Sequence, residues 1–306
     1  MRRALVLSGG GARGSWQVGA CKHLIDERGH WFDVISGVSV GAINGATLAH
    51  ARDPGGLRAH VERLRAWWFG VRGNHNIYLR RRFAVIGLAL GKWKGLYDVT
   101  PLREEVLRHE IDPEQVAASP IRLRVGYLDL RSRRYRTAGN DHPRLRDALL
   151  ASASLPLLFP PTRLPESQEI GVDGGVRHLA PLADALQALA DSQPDADFLE
   201  VWMILLNRPR RAALIRMVQK WLRNAFPSLA LHTHDAGAEG GRPRTASTFW
   251  VSGALGERYR HIRLRVLHPV RKLAGSILDF EPAKIRAWYE DGLSTARSAP
   301  ANDAEA

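Results

Sequence analysis

Three short segments carry residue types that can do chemistry at a backbone turn. The first is Gly9-Gly10-Gly11-Ala12-Arg13-Gly14. Consecutive glycines permit positive φ and turn several N–H groups onto one anion, and a following helix adds its dipole. The second is Gly37-Val38-Ser39-Val40-Gly41. This G-x-S-x-G pattern sets a serine hydroxyl on a sharp strand-to-helix turn. The third, Asp173-Gly174-Gly175, leaves a carboxylate beside two residues that give it no steric cover. Taken alone it reads as a plain turn, which Asp-Gly favours.

The first turn also fits G-x-G-x-x-G, the dinucleotide fingerprint. That reading expects an acidic residue at the end of the second strand. Asp33 lies near the right distance, but it begins its strand. A phosphate-binding Walker loop needs Lys-Ser/Thr after its glycines, and none follows. Ser39 has the context a nucleophile needs, with Val34-Ile35 before it and Val40 to Leu48 after it. A serine hydroxyl still needs a base. His178 and His268 come late enough for a Ser-Asp-His order, yet only one strand precedes Phe32, where an α/β-hydrolase has several.

Elements must hold these turns. Ala4 to Leu7 is a short apolar strand, Ser15 to Glu27 a helix, Phe32 to Ser36 a second strand and Val40 to His50 a second helix. Such alternation predicts a mainly parallel sheet covered by helices on both faces. Arg58 to Phe69 is amphipathic, and Thr100 followed by Pro101 reads as a helix start. Arg122 to Leu130 and Arg133 to Ala138 form a hairpin pattern, and Asp147 to Ser154 and Pro181 to Asp191 are helical. Asp197 to Asn207 and His261 to His268 read as strands, Thr245 to Arg258 as a weak helix and Glu281 to Gly292 as the last helix. One domain over 1–296 is expected. It has a motif-bearing core at about 4–190, a helical insertion at about 52–116, strands and helices over 197–296, and a frayed tail at 297–306.

In this order, and with these neighbours, the turns resemble the patatin-like phospholipases. The resemblance rests on Leu5 to Gly14, Gly37 to Ala42 and Asp173 to Gly175. It is extended by Gly95-Leu96-Tyr97-Asp98, by Ala151 to Pro156 and by Phe159-Pro160-Pro161. It runs from Leu5 to about Ala185, with weaker similarity at Asp279 to Pro282. The sequence departs from the family where His178-Leu179-Ala180 precede Pro181, since an asparagine is common there. The resemblance implies a Ser-Asp hydrolase fold and a dyad of Ser39 and Asp173. It makes Gly9, Gly10, Gly11, Ala12, Arg13 and Gly14 the oxyanion hole, with Gly37 and Gly41 flanking the nucleophile and Gly174 and Gly175 following the base. Arg13 either positions its turn or meets a lipid phosphate. The implied activity is lipid acyl hydrolysis through an acyl-serine, of phospholipase A or lysophospholipase type, with no metal or organic cofactor. Acyl transfer and thioester hydrolysis on the same site are alternatives, and a non-enzymatic basic binding protein is another.

Composition narrows the partners. The 306 residues include 44 Lys+Arg against 31 Asp+Glu, a formal charge of +13. Such a charge favours anionic membrane, phosphate-bearing substrate or nucleic acid, but no RNA-recognition motif is present and no nucleic acid is expected. The one cysteine, Cys21, excludes an intrachain disulfide and a cysteine-based zinc site. No signal peptide or membrane span is readable, so a cytoplasmic chain with peripheral membrane contact is expected. Two segments are candidates for that contact. In Arg211 to Phe226, Leu214, Ile215, Val218, Trp221, Leu222 and Phe226 share one face, opposite Arg216, Lys220 and Arg223. This is either an interfacial helix or a core helix with a solvated basic face. Phe83 to Leu90, followed by Lys92, Trp93 and Lys94, is either a lid or membrane-contacting loop or a buried helix.

Overall fold

The computed structural model describes residues 2–91, 94–165, 167–192, 195–232 and 246–299. Five strands make the centre of one sheet: β1 (Arg2–Leu7), β2 (Val34–Val38), β5 (Arg122–Asp129), β9 (Phe198–Ile204) and β12 (Arg258–Leu267). They run parallel, in the order β12-β9-β1-β2-β5. Antiparallel strands finish both margins. β6 (Arg134–Ala138) and β8 (Glu169–Asp173) join β5, and β7 (Thr162–Leu164) joins β8. On the other side β11 (Ala246–Leu255) joins β12, and β10 (Leu229–His232) joins β11.

Side chains of β1 alternate between two cores, as the period of a strand demands. Leu5 and Leu7 enter one core with Ile35, Trp202 and Ile204. Ala4 and Val6 enter the other with Val34, Val201 and Met203. The first core is covered by α1 (Gly14–Lys22), α2 (Val40–Leu48), α3 (Pro54–Gly70) and α10 (Pro282–Arg297). The second is covered by α8 (Leu182–Ser192) and α9 (Arg211–Ala225). Both faces being dry explains why these strands read as continuous apolar runs.

The insertion is built from α3, a two-stranded ribbon and short helices. The ribbon pairs β3 (Leu79–Arg80) with β4 (Tyr97–Asp98), and α4 (Ala84–Ala89) lies between them. Beyond it a π-type helix (Leu102–Leu107) leads into α5 (Arg108–Glu110) and α6 (Pro113–Ala117), and α7 (Leu145–Ser152) precedes β7.

Several sequence expectations shift. The region expected as a helix over 245–258 is β11 with the start of β12; residue 245 itself lies outside the described residues. Phe249, Val251 and Leu255 alternate inward, and the glycines that interrupted the helical reading, Gly253 and Gly256, both have positive φ. Before the π-type helix, Asp98 Oδ1 accepts from the Thr100 N–H at 2.9 Å and from the Thr100 hydroxyl at 2.6 Å, and no side chain caps that helix. Thr100 is therefore not the cap. The last helix continues to Arg297, whose guanidinium is bonded to Glu27, so position 297 is anchored; residues 300–306 lie outside the described residues.

The two membrane candidates separate. Leu214, Val218 and Leu222 of α9 are buried in the second core, with Ile215, Trp221 and Phe226 packed against it. The apolar stripe of α9 is core, and the interfacial reading of that helix falls. The segment Phe83 to Leu90 is not a buried helix: Phe83, Val85, Ile86 and Leu90 are exposed. Lys92 and Trp93 lie outside the described residues.

Candidate active site

β2 ends at Val38, and the chain turns through Ser39 at φ 57, ψ −132 into α2. A non-glycine residue in this region stores roughly 1–3 kcal/mol of strain, so its surroundings must hold it there. They do so by close approach. A Cβ on Gly41 would lie 2.4 Å from the Leu7 carbonyl oxygen, and one on Gly37 2.4 Å from that of Gly41. Only glycines let β1, β2 and α2 meet this tightly. Ser39 is 6% exposed and lines the cavity described below.

A second serine supports the elbow. The Ser39 N–H donates to Ser152 Oγ at 2.9 Å, and the Ser152 hydroxyl donates to the Gly126 carbonyl at 2.6 Å. The Asp173 N–H donates to the Ser154 carbonyl at 2.9 Å. The end of α7 thus ties β2, β5 and β8 together around Ser39. From the sequence, Ala151 to Ser154 carries part of the family resemblance but no evident role. The signal was the run of small residues ahead of Pro156.

The glycine turn lies against the elbow: a Cβ on Gly9 would sit 3.1 Å from Ser39 Cβ. Most of its N–H groups are already engaged. Gly9 donates to Leu179 O, Ala12 to Ile277 O, Arg13 to Gly10 O and Gly14 to Gly11 O. Among the described residues, the N–H groups of Gly10 and Gly11 have no protein acceptor. Gly11 has φ 56, and a Cβ there would lie 2.1 Å from Ile277 O. Arg13 holds this arrangement from behind, with Nη1 on Asn207 Oδ1 at 3.1 Å and Nη2 on the Gly275 carbonyl at 2.8 Å. Its guanidinium is thereby a clamp on the segment before Ile277.

A buried polar chain fixes the turn relative to α2 and α3. Gln17 Nε2 donates to the Ser8 carbonyl, Asn44 Nδ2 to Gly14 O and Gln17 Oε1, and Trp68 Nε1 to Asn44 Oδ1, at 2.7 to 3.1 Å. Each of these groups would cost energy if left unpaired, so the network is rigid.

Asp173 closes β8, opposite Tyr127 of β5. Oδ1 accepts from the Gly175 N–H at 2.7 Å, and a Cβ on Gly174 would lie 2.6 Å from Gly126 O. Oδ2 is buried with no hydrogen bond of ordinary geometry. Burial pushes the carboxyl up to about 6, against the lowering pull of the Ser39 hydroxyl and the Gly175 N–H. Serine and carboxylate are therefore neighbours, though the hydroxyl is not aligned on Oδ2. Among the described residues no histidine is bonded to either. His178 stacks edge-on against Tyr135, and His268 Nδ1 contacts the Pro269 carbonyl at 3.1 Å.

An apolar cavity opens at Ser39. Ile43, Trp68, Ile77, Leu102, Phe159 and Phe280 are among its walls. It encloses about 510 Å³ out to its open mouth. Apolar side chains make up most of the lining of this slot, which suits an apolar chain. Among the described residues no group of three His, Cys, Asp or Glu is placed to hold a metal ion, and no helix is long and apolar enough to cross a membrane.

The fold resembles that of solved structures. Human GIVD cytosolic phospholipase A2 superposes with a TM-score of 0.53 at 12% identity, over 96% of this chain and 57% of that one. VipD from Legionella pneumophila gives 0.43 at 14% identity, over 97% of this chain and 66% of that one. The chain spans less than two thirds of either neighbour's length, and at these identities the likeness is one of fold. No curated protein sequence matches. The family model of patatin-like phospholipases matches residues 5–186, a stretch that contains the glycine turn, Ser39 and Asp173. The chain belongs to the patatin-like phospholipase family.

Proposed function

We propose that the protein hydrolyses the carboxylic ester of an acyl lipid, with Ser39 as nucleophile and Asp173 as its base. The observation that carries this reading is the pairing of a serine at a strained elbow with a buried carboxylate whose Oδ2 is unpartnered. Ser39 Oγ attacks the ester carbonyl, and its proton passes to Asp173. A carboxylate raised to about 6 is a stronger base than a solvated one and remains mostly ionised at neutral pH. The N–H groups of Gly10 and Gly11 stabilise the oxyanion of the tetrahedral intermediate. The leaving alcohol takes the proton from Asp173, which leaves an acyl-Ser39. Water then attacks the acyl-serine, Asp173 accepts its proton and returns it to Ser39 Oγ as the acyl–oxygen bond breaks, and the carboxylic acid departs.

The slot beside Ser39 suits one acyl chain. Phospholipid and other acyl-ester lipids are the substrate class, and no cofactor takes part in any step. The site is tested with purified protein, wild type against Ser39→Ala, using a fluorophosphonate label and a chromogenic short-chain ester. Loss of both labelling and hydrolysis is expected. Substantial labelling of the variant at another residue would refute the assignment.

A further inference from the structure

The ribbon beside the slot ends in a bare apolar tip. Phe83, Val85 and Leu90 are 71%, 73% and 75% exposed, and Leu157 on the neighbouring loop is 75% exposed. Large apolar side chains grouped in this way mark an interaction surface. Two of them also occupy backbone conformations that bulky residues avoid, Phe83 at φ 56 and Leu157 at φ 68. Neither burial nor local backbone preference accounts for their placement.

The tip is joined to the wall of the slot. Ile77, Leu155 and Phe159 line the slot, two residues away from exposed Leu79 and Leu157. The Leu96 N–H donates to the Leu157 carbonyl at 3.1 Å and the Tyr97 N–H to that of Leu158 at 2.9 Å. The rings of Tyr78, Tyr97 and Phe159 meet at 4.7 to 6.2 Å between centroids, and Tyr78 Oη donates to the Leu278 carbonyl at 2.7 Å. The ribbon that carries the tip is therefore packed directly against the wall of the slot.

Charge selects the occupant. Residues 71–97 contain six Lys and Arg and no Asp or Glu. Arg81 is paired with Asp98 at 3.3 Å, whereas Arg80, Arg82 and Lys94 are exposed around the apolar tip. A protruding apolar tip ringed by cations matches the interior and headgroups of an anionic bilayer. We infer that α4 and Leu157 form a docking face which seats the mouth of the slot on an anionic lipid surface. The inference rests on the lipid-hydrolase reading of Ser39. It gives the substrate a route from bilayer to slot that need not cross bulk water.

The test uses the full chain and vesicles of phosphatidylcholine and phosphatidylglycerol in equal parts. V85S/I86S/L90S changes only exposed side chains outside the slot. Its partitioning onto vesicles, read by co-sedimentation, is expected to fall about tenfold or more, and its hydrolysis of a soluble short-chain ester to stay near wild type. Phe198→Ser, an exposed residue at the opposite end of the strands, is expected to bind as wild type. Equal sedimentation of V85S/I86S/L90S and wild type, or no sedimentation of wild type, would overturn the docking face. So would a wild-type dimer that this variant turns into a monomer with vesicle binding unchanged, because the occupant would then be a second copy. Sedimentation needs no turnover, so the two readings fail differently: no ester hydrolysis by wild type in one case, unchanged sedimentation of the variant in the other.

Discussion

The backbone N–H of Ser39 is held by the hydroxyl of Ser152, 113 positions later in the chain, at 2.9 Å. The same hydroxyl reaches the Gly126 carbonyl at 2.6 Å. One buried side chain thus fixes the strained residue after β2 to β5, the strand on which Asp173 is registered. The relative placement of Ser39 and Asp173 runs through a residue that takes no part in the proposed chemistry.

Ser152→Ala leaves the Ser39 N–H and the Gly126 carbonyl short of a partner in a dry place. Unsatisfied buried groups cost about 1–3 kcal/mol each. Thermal unfolding should shift down, and kcat on a soluble ester should fall by more than the folded fraction explains. Ser154→Ala is the comparison. Its hydroxyl contacts only the Leu150 carbonyl and Thr162 Oγ1, so it should lose stability and keep kcat. Equal kcat in the two variants would remove Ser152 from this role.

Asp173→Asn should lower kcat by about 10²–10⁴, the usual cost of a lost general base, and yet raise stability at neutral pH. The carboxyl moves from 3.8 unfolded to about 6 folded, so between those values the folded state binds more protons. Stability of the wild type therefore falls as pH rises from about 4 to about 6, and the penalty is complete above that. A shift of this size corresponds to a few kcal/mol, roughly 1.4 per unit. Urea unfolding of both proteins at pH 4 and pH 7.5 measures it; a variant less stable than wild type at both values would contradict the desolvated carboxylate.

For wild type, kcat/KM on a soluble ester should rise through pH about 6 and then level off. Asp184 is also pushed up to about 6 by burial, but it faces Tyr135 and Thr137, so Asp184→Asn should keep the acid limb. His178→Ala and His268→Ala should each keep at least about a tenth of the activity, with the limb unmoved. A histidine variant as inactive as Ser39→Ala would replace the dyad with a triad.

Arg13→Gln separates a clamp from a phosphate ligand. The guanidinium is engaged by Asn207 and the Gly275 carbonyl, and its loss frees the segment that holds the glycine turn. Turnover of a soluble ester and of a phospholipid should fall by the same factor. Selective loss on the phospholipid would mean that Arg13 reads the headgroup.

The sequence by itself determined the three turns, the family and the strand-elbow-helix context of Ser39. Those features are local: glycine spacing dictates backbone shape, and apolar runs of strand length dictate buried strands. It also carried the amphipathic pattern of α9, but a pattern records which face is apolar and not what covers that face. Only the tertiary structure decided that Leu214, Val218 and Leu222 meet the core while Phe83, Val85 and Leu90 stay exposed. It likewise decided which N–H groups of the glycine turn remain available, because their acceptors on Leu179 and Ile277 lie far along the chain. The helical reading of 245–258 failed for a related reason. The alternation of Phe249, Val251 and Leu255 becomes meaningful only when β12 lies alongside to pair with it. The proposed base was the least legible feature: Asp173-Gly174-Gly175 is an ordinary turn until burial against β5 raises its carboxyl beside Ser39.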